Sequence, residues 1–232
     1  MSKNLVTVFC SLRPQQLSEE VNKAREQDYK MCLAQLLRVV PDNFDIVFCD
    51  NTVAAAEEIK DPDLRGIFTS KSHLFLGQNI GMVNKGMGEL HMLKAISTGV
   101  DFLSYDKVSY CTGRKIFTCP YVFERTNSMS KPGLISNPDF AYLDGSFHQT
   151  EKKDMFNDMF FSLESNLMQE YADWSYSRIA ENIQNHIGSE QNLYAFITNN
   201  NIEYEWLDWL GVIRNDWAVT GVPFHLNNFH VC

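Results

Sequence analysis

Short apolar runs alternate with stretches of helical periodicity along the first half of the chain. Leu5-Val-Thr-Val-Phe-Cys10 and Phe44-Asp-Ile-Val-Phe-Cys49 are rich in β-branched and aromatic residues and run into polar segments, so they predict buried strands. Between them Val21, Ala24, Cys32, Leu33, Leu36 and Leu37 form an apolar stripe, which predicts a helix over residues 18–40, stopped by Pro41. Residues 53–60 carry a second helical pattern. Residues 72–77, Ser-His-Leu-Phe-Leu-Gly, predict a third strand. Met87, Leu90, Leu93 and Ile96 share one face of a third helix that Gly99 can close. Residues 106–111 predict a fourth strand. Strands alternating with helices in this way predict an α/β fold: a mostly parallel sheet flanked by helices.

The second half changes character. Residues 121–138 read as loop, and residues 140–143 as a strand ending at Asp144-Gly145. Met155, Met159, Leu163 and Leu167 recur at helical spacing, with Phe156, Phe160 and Phe161 beside them, and predict a helix over residues 152–173. Residues 175–186 predict another. Ser189-Glu190 stands like an N-cap and an acidic first turn before Leu193, Phe196 and Ile197. The tail from Trp206 is aromatic and carries Arg214, Asp216, His225 and His230, where packing is the simplest role for the tryptophans.

Between the third strand and third helix lies Asn79-Ile80-Gly81-Met82-Val83-Asn84-Lys85-Gly86-Met87-Gly88-Glu89-Leu90. A tight glycine-bearing loop followed by a helix N-terminus offers unpaired N–H groups and a positive dipole end. Lys85 adds charge, and the glycines suggest close backbone approach, so the stretch suits a phosphate. It is neither a Walker A loop nor the dinucleotide GxGxxG. In parallel sheets ligands bind at the carboxyl ends of the strands. Four such ends carry polar, glycine-bearing or basic residues: 11–13, Asp50-Asn51, 79–85 and Thr112-Gly113-Arg114. Their coincidence on one edge describes a nucleotide pocket better than any single one does.

Composition narrows the field. The 232 residues carry a formal charge of −9, which argues against broad wrapping of nucleic acid but leaves room for a local basic pocket. Six cysteines without a CxxC pair fit buried thiols in a reducing compartment, and no apolar run reaches membrane-spanning length, so a cytoplasmic location is expected. The six histidines are scattered without ligand spacing, no GxSxG elbow is present, and Cys10 and Cys111 have no helper residue nearby in sequence. The strand-end pocket is therefore the best site.

The order of features resembles the GT-A glycosyltransferases, the Rossmann-like, nucleotide-sugar-dependent class. The resemblance rests on the opening strand Val6-Thr-Val-Phe-Cys-Ser11, the strand ending in Asp50-Asn51, Asn79-Ile80-Gly81 before a helix, and Tyr105-Asp106-Lys-Val-Ser-Tyr-Cys-Thr112-Gly113-Arg114. It is similar to small bacterial and large-virus enzymes that build surface glycans. The resemblance implies one domain, with residues 1–119 binding the nucleotide and a largely helical 120–232 binding the acceptor. It implies transfer from a UDP- or dTDP-linked sugar to a hydroxyl of a glycan or lipid-linked glycan. Phe9, Ser11, Arg13 and Asp50 would hold base and ribose. Lys85 and Arg114 would stabilise the leaving diphosphate, with Asn79 and Thr112 also among the donor-binding residues. Asp144 and Glu190 are the carboxylates placed to accept a proton from the acceptor. The family's metal-binding Asp-x-Asp is replaced by Thr112-Gly113-Arg114, so Mn²⁺ or Mg²⁺ is an optional cofactor, with Asp144 its nearest carboxylate. A nucleotidyltransferase, or a module that binds nucleotide-sugar without turnover, remains an alternative reading.

Overall fold

The computed structural model describes residues 3–137, 140–141, 147–148, 154–207 and 210–214. Strand β1 (Asn4–Cys10) is buried along its whole length. It pairs in parallel with β2 (Phe44–Asp50) on one side and with β4 (Lys107–Thr112) on the other. Helix α1 (Glu19–Val39) crosses between β1 and β2, and α2 (Pro62–Thr69) between β2 and β3 (Ser72–Phe75), which pairs in parallel with β2. Helix α3 (Lys85–Gly99) returns the chain to β4.

Each of these elements has a local cause. The Ser18 hydroxyl caps α1 by accepting from Val21 N at 3.3 Å. Asp61 caps α2, with Pro62 at the first helical position. The pattern over residues 53–60 forms only a short 3-10 turn, Ala56–Glu58. The helix lies one step later, where the Asp61 cap and Pro62 start it.

The second half is less helical than its spacing predicted. After β5 (Lys115–Phe117), residues expected to be loop form α4 (Tyr121–Ser128) and β6 (Gly133–Ser136). Short strands β7 (Phe140–Ala141) and β8 (Phe147–His148) pair antiparallel. Residues 157–164, expected to be helical, form β9 (Asn157–Glu164), and only then does α5 (Ser165–Ser177) begin. β9 lies antiparallel to both β4 and β6, and Phe160, Phe161 and Leu163 are buried. A strand covered on both faces shows no period-two alternation, so its run of apolar residues imitates a helix. Helices α6 (Ile179–Gln184) and α7 (Ser189–Asn199) follow, then β10 (Tyr204–Leu207), parallel to β6, and β11 (Val212–Arg214), which pairs with β5.

The result is one seven-stranded, mostly parallel sheet in the order β10-β6-β9-β4-β1-β2-β3. Strands from both halves of the chain share it. Two apolar layers cover its faces. One holds Leu33, Leu36 and Phe48 under α1 and α2; the other holds Leu90, Leu93, Phe161 and Phe196 under α3, α5 and α7. Cys10, Cys49 and Cys111 are free thiols in these layers, Cys32 is buried and free as well, and burial pushes the Cys10 thiol well up. No helix among the described residues is long and apolar enough to cross a membrane.

Candidate functional site

A cleft of ≈ 280 Å³ opens at the carboxyl edge of β1 and β4. Of the residues proposed from sequence, Phe9, Ser11, Asn79, Lys85, Thr112 and Arg114 line it. Three strand ends are laced together at its wall. The Ser11 hydroxyl donates to Asn51 Oδ1 at 2.7 Å, and Asn51 Nδ2 donates to Asn79 Oδ1 at 3.3 Å. The amides and hydroxyl are thereby oriented before any ligand arrives.

Two of the proposed residues sit behind the cleft instead. Asp50 is fully buried at the end of β2. Its Oδ1 accepts from Thr52 N, Thr52 Oγ1 and Val53 N at 2.6, 2.7 and 2.9 Å, and its Oδ2 accepts from Leu12 N at 2.7 Å. Four donors saturate the carboxylate, so it builds the turn. Arg13 points away to Glu19 and Glu26, reaching Glu26 at 2.8 Å. Glu26 also accepts from the backbone N–H groups of Lys60 and Asp61, so this pair ties α1 to the start of α2.

The glycines of the organising loop also serve the protein. A Cβ on Gly86 would lie 2.5 Å from Ser189 N, and one on Gly88 would lie 2.7 Å from Gly81 N. The N-terminal turn of α3 is thus packed against the start of α7. Asn84 caps it, its Oδ1 accepting from Met87 N at 3.3 Å, while its Nδ2 donates to Ile187 O at 3.0 Å. The face of that turn at Gly86 is taken by α7, while Lys85 at its start lines the cleft together with other cationic side chains.

Those side chains come from separate elements. Arg114 follows β4, and its Nη1 is buried without a hydrogen-bond partner. Arg25, on α1, is only 8% exposed and was not singled out from sequence. Its Nε and Nη2 donate to Ser11 O at 3.2 and 2.5 Å. Burial lowers its pKa, and the neighbouring Arg114 charge acts in the same direction. Lys115 and Lys85 complete four basic residues lining the cleft, against two carboxylates, Glu89 and Asp158. The lining is thus rich in positive charge within a protein of formal net charge −9.

The two carboxylates come from β9 and α3. Asp158 stands at the start of β9, beside the end of β4, because Cys111 pairs with Phe160 across the two strands. It accepts a hydrogen bond from the Ser189 hydroxyl. The sequence placed residue 158 within a helix, so only the β9 register reveals it. Glu190, proposed from sequence, lies next to this group but does not line the cleft. Its Oε2 is 3.4 Å from Ser189 Oγ, and burial, with Asp158 nearby, raises its pKa. Glu89 is buried on α3, accepts from the Tyr110 hydroxyl at 2.7 Å and lies 3.7 Å from Lys85 Nζ. Burial pushes Glu89 up to about 7, against the opposing pull of Lys85 and Tyr110. Lys85 is raised, chiefly by Glu89. Asp144, the other proposed base, lies outside the described residues.

No protein-family model and no curated protein matches the chain in sequence. Solved structures match its fold. Mouse xyloside xylosyltransferase 1 in its apo form superposes with a TM-score of 0.50 at 12% identity, covering 89% of this chain and 85% of that one. The chain shares the mixed α/β fold of that structure. The Aq1419 protein of Aquifex aeolicus VF5 is a looser match, with a TM-score of 0.46 at 10% identity over 89% of this chain and 86% of its own.

The strand-end tripeptide Thr112-Gly113-Arg114 does not fit a resident hard cation. Such an ion takes oxygen ligands, mostly carboxylates, whereas here a guanidinium stands at the site. Among the described residues no three carboxylate, histidine or cysteine side chains gather as a metal site.

Proposed function

We propose that the chain is a GT-A type glycosyltransferase that moves a sugar from a nucleoside-diphosphate donor, UDP- or dTDP-linked, to a hydroxyl of a glycan or lipid-linked glycan. The observation that carries this reading is Arg114 Nη1, buried and unpaired in a cleft that Arg25 also lines. A buried guanidinium N–H without a partner is costly unless an acceptor arrives. A diphosphate supplies several, and arginine meets it in two places at once.

In this reading Phe9, Ser11 and Asn51 border the nucleoside, while Arg25, Arg114 and Lys115 meet the diphosphate. As the bond between the sugar carbon and the diphosphate oxygen breaks, negative charge grows on that oxygen, and the fixed cations stabilise it. The acceptor oxygen forms the new bond to the same carbon and releases a proton. Asp158 is placed to take that proton if configuration inverts, with Ser189 orienting it and Glu190 behind. Lys85, 3.7 Å from Glu89, offsets the carboxylates.

Calorimetric titration with UDP, dTDP and uridine tests the reading. The diphosphates should bind and uridine should bind much more weakly. Arg114→Ala should weaken diphosphate binding by roughly 1.5–3 kcal/mol, the contribution of charge-assisted hydrogen bonds. Equal binding of uridine and UDP, or an unchanged Arg114→Ala variant, would remove the anion site from under the proposal.

A further inference from the structure

A second cavity, ≈ 290 Å³, lies between α5, α6 and α7, on the far side of the first turn of α7 from the cleft. Ser189 and Glu190 in that turn face Asp158, whereas Gln191, the next residue, lines the second cavity. Asp154, four residues before Asp158, lines it too. An extended four-residue segment spans at most about 14 Å, so a chain-like ligand can engage both places.

The cavity has a built floor. Asn182, Asn192 and Ser175 are each at most 2% exposed. Asn182 Nδ2 donates to Asn192 Oδ1 at 2.8 Å, and Asn192 Nδ2 donates to Ser175 Oγ at 2.8 Å. A connected buried polar network fixes a surface more rigidly than aliphatic packing does. Above it stand two aromatic side chains, each held by another. Trp174 packs on Phe196 at 5.5 Å between ring centroids, and Tyr194 on Phe156 at 5.2 Å. The Arg178 guanidinium lies 5.0 Å from the Trp174 ring centre. From Phe156 the aromatic series continues to Trp206 on β10, at 5.7 Å, whose side chain is 42% exposed.

The lining carries one carboxylate, Asp154, and one guanidinium, Arg178, so it has no net charge and does not select an anion. Its rim of amides and hydroxyl groups, including Gln191, Thr198 and Asn199, does not suit an aliphatic ligand either. Aromatic faces beside side-chain amides match a sugar ring, which presents an apolar C–H face and a girdle of hydroxyls. We propose that this cavity is a saccharide-binding site that holds an uncharged part of the acceptor glycan outside the cleft; its role as an acceptor site rests on the glycosyltransferase reading above.

The test is ¹⁹F NMR on the full chain labelled with 5-fluorotryptophan, with Trp174→Phe assigning the Trp174 signal. The probes are cellotetraose, xylotetraose, maltotetraose and chitotetraose, with UDP as the probe of the cleft. At least one tetrasaccharide should move the Trp174 signal at millimolar concentration. Arg178→Ala and Asn199→Ala, both at the rim, should each weaken that effect about fivefold, the factor of one lost hydrogen bond, and leave UDP binding as it was. A Trp174 signal that no tetrasaccharide moves, up to tens of millimolar, would overturn the proposal. So would a response that both rim variants leave undiminished. UDP binding without saccharide binding would sink this site and leave the donor reading standing. Saccharide binding at Trp174 without any UDP binding would keep the site and sink the donor reading.

Discussion

Replacing Glu89 by glutamine tests whether the acidic lining of the cleft is held at a cost to the fold. Glu89 is 9% exposed, and burial raises its carboxyl from 4.5 to about 7. A raised folded-state pKa means that the native state binds the proton more tightly than the unfolded state. Between pH 4.5 and about 7 the native protein therefore carries more bound protons, and stability falls as pH rises. One unit corresponds to about 1.4 kcal/mol, so the whole interval is worth about 3 kcal/mol. Glutamine does not titrate and can still accept from the Tyr110 hydroxyl. Relative to wild type, Glu89→Gln should gain about 3 kcal/mol on going from pH 4.5 to pH 8, the opposing pull of Lys85 being already contained in the folded-state value. Urea denaturation at a series of pH values reads this directly, with the slope m checked for constancy. A Glu89→Gln protein whose stability runs parallel to wild type from pH 4.5 to 8 would mean that Glu89 ionises normally. The desolvation argument would then be wrong.

Three further outcomes follow from the site. Gly86→Ala places a Cβ 2.5 Å from Ser189 N, so α3 and α7 must part; overpacking of this kind costs about 1–3 kcal/mol, and calorimetry should show Tm falling by roughly 3–10 °C. Asp158→Asn should abolish most transfer while UDP binding by titration persists, whereas Glu190→Gln should lower the rate far less; the reverse order would make Glu190 the base. Transfer should survive exhaustive EDTA treatment, because side-chain cations face the diphosphate; loss on EDTA and recovery with Mn²⁺ would show that a divalent ion does that work.

Much of the sheet was legible because four of its strands are short apolar runs closed by polar turns, and the 3.6-residue stripes of α1 and α3 are unbroken. The strands β6, β9 and β10 were not, for a physical reason. Phe160 is buried in one apolar layer and Phe161 and Leu163 in the other, so β9 shows no simple alternation, and Met155, Met159 and Leu163 fall at helical spacing by coincidence. That one misreading hid Asp158, whose position in the cleft depends wholly on β9 pairing with β4. Arg25 did leave a signal. It lies four residues after Val21 and seven before Cys32, on the stripe that α1 turns inward. A charge on the apolar face of a helix requires either a partner or a ligand. Here the backbone carbonyl of Ser11 takes part of it, and the cleft takes the rest.

The glycine-rich loop shows why a motif must be read together with what packs against it. Glycine before a helix N-terminus is equally compatible with a phosphate approaching the backbone and with another helix doing so. In this fold α7 approaches, and Ser189 stands where a Cβ on Gly86 would be. The glycine there serves helix packing, and the basic side chains that line the cleft are Arg25, Arg114, Lys115 and Lys85. Side chains from α1, α3 and the β4–β5 turn can present charge only while those elements stay in register. The saturated carboxylates of Asp50 and Glu26, which contact no ligand, keep that register by holding the β2 turn, the loop after β1 and the start of α2 together. The acidic residues behind the cleft therefore set the geometry in which the basic residues at its face can act.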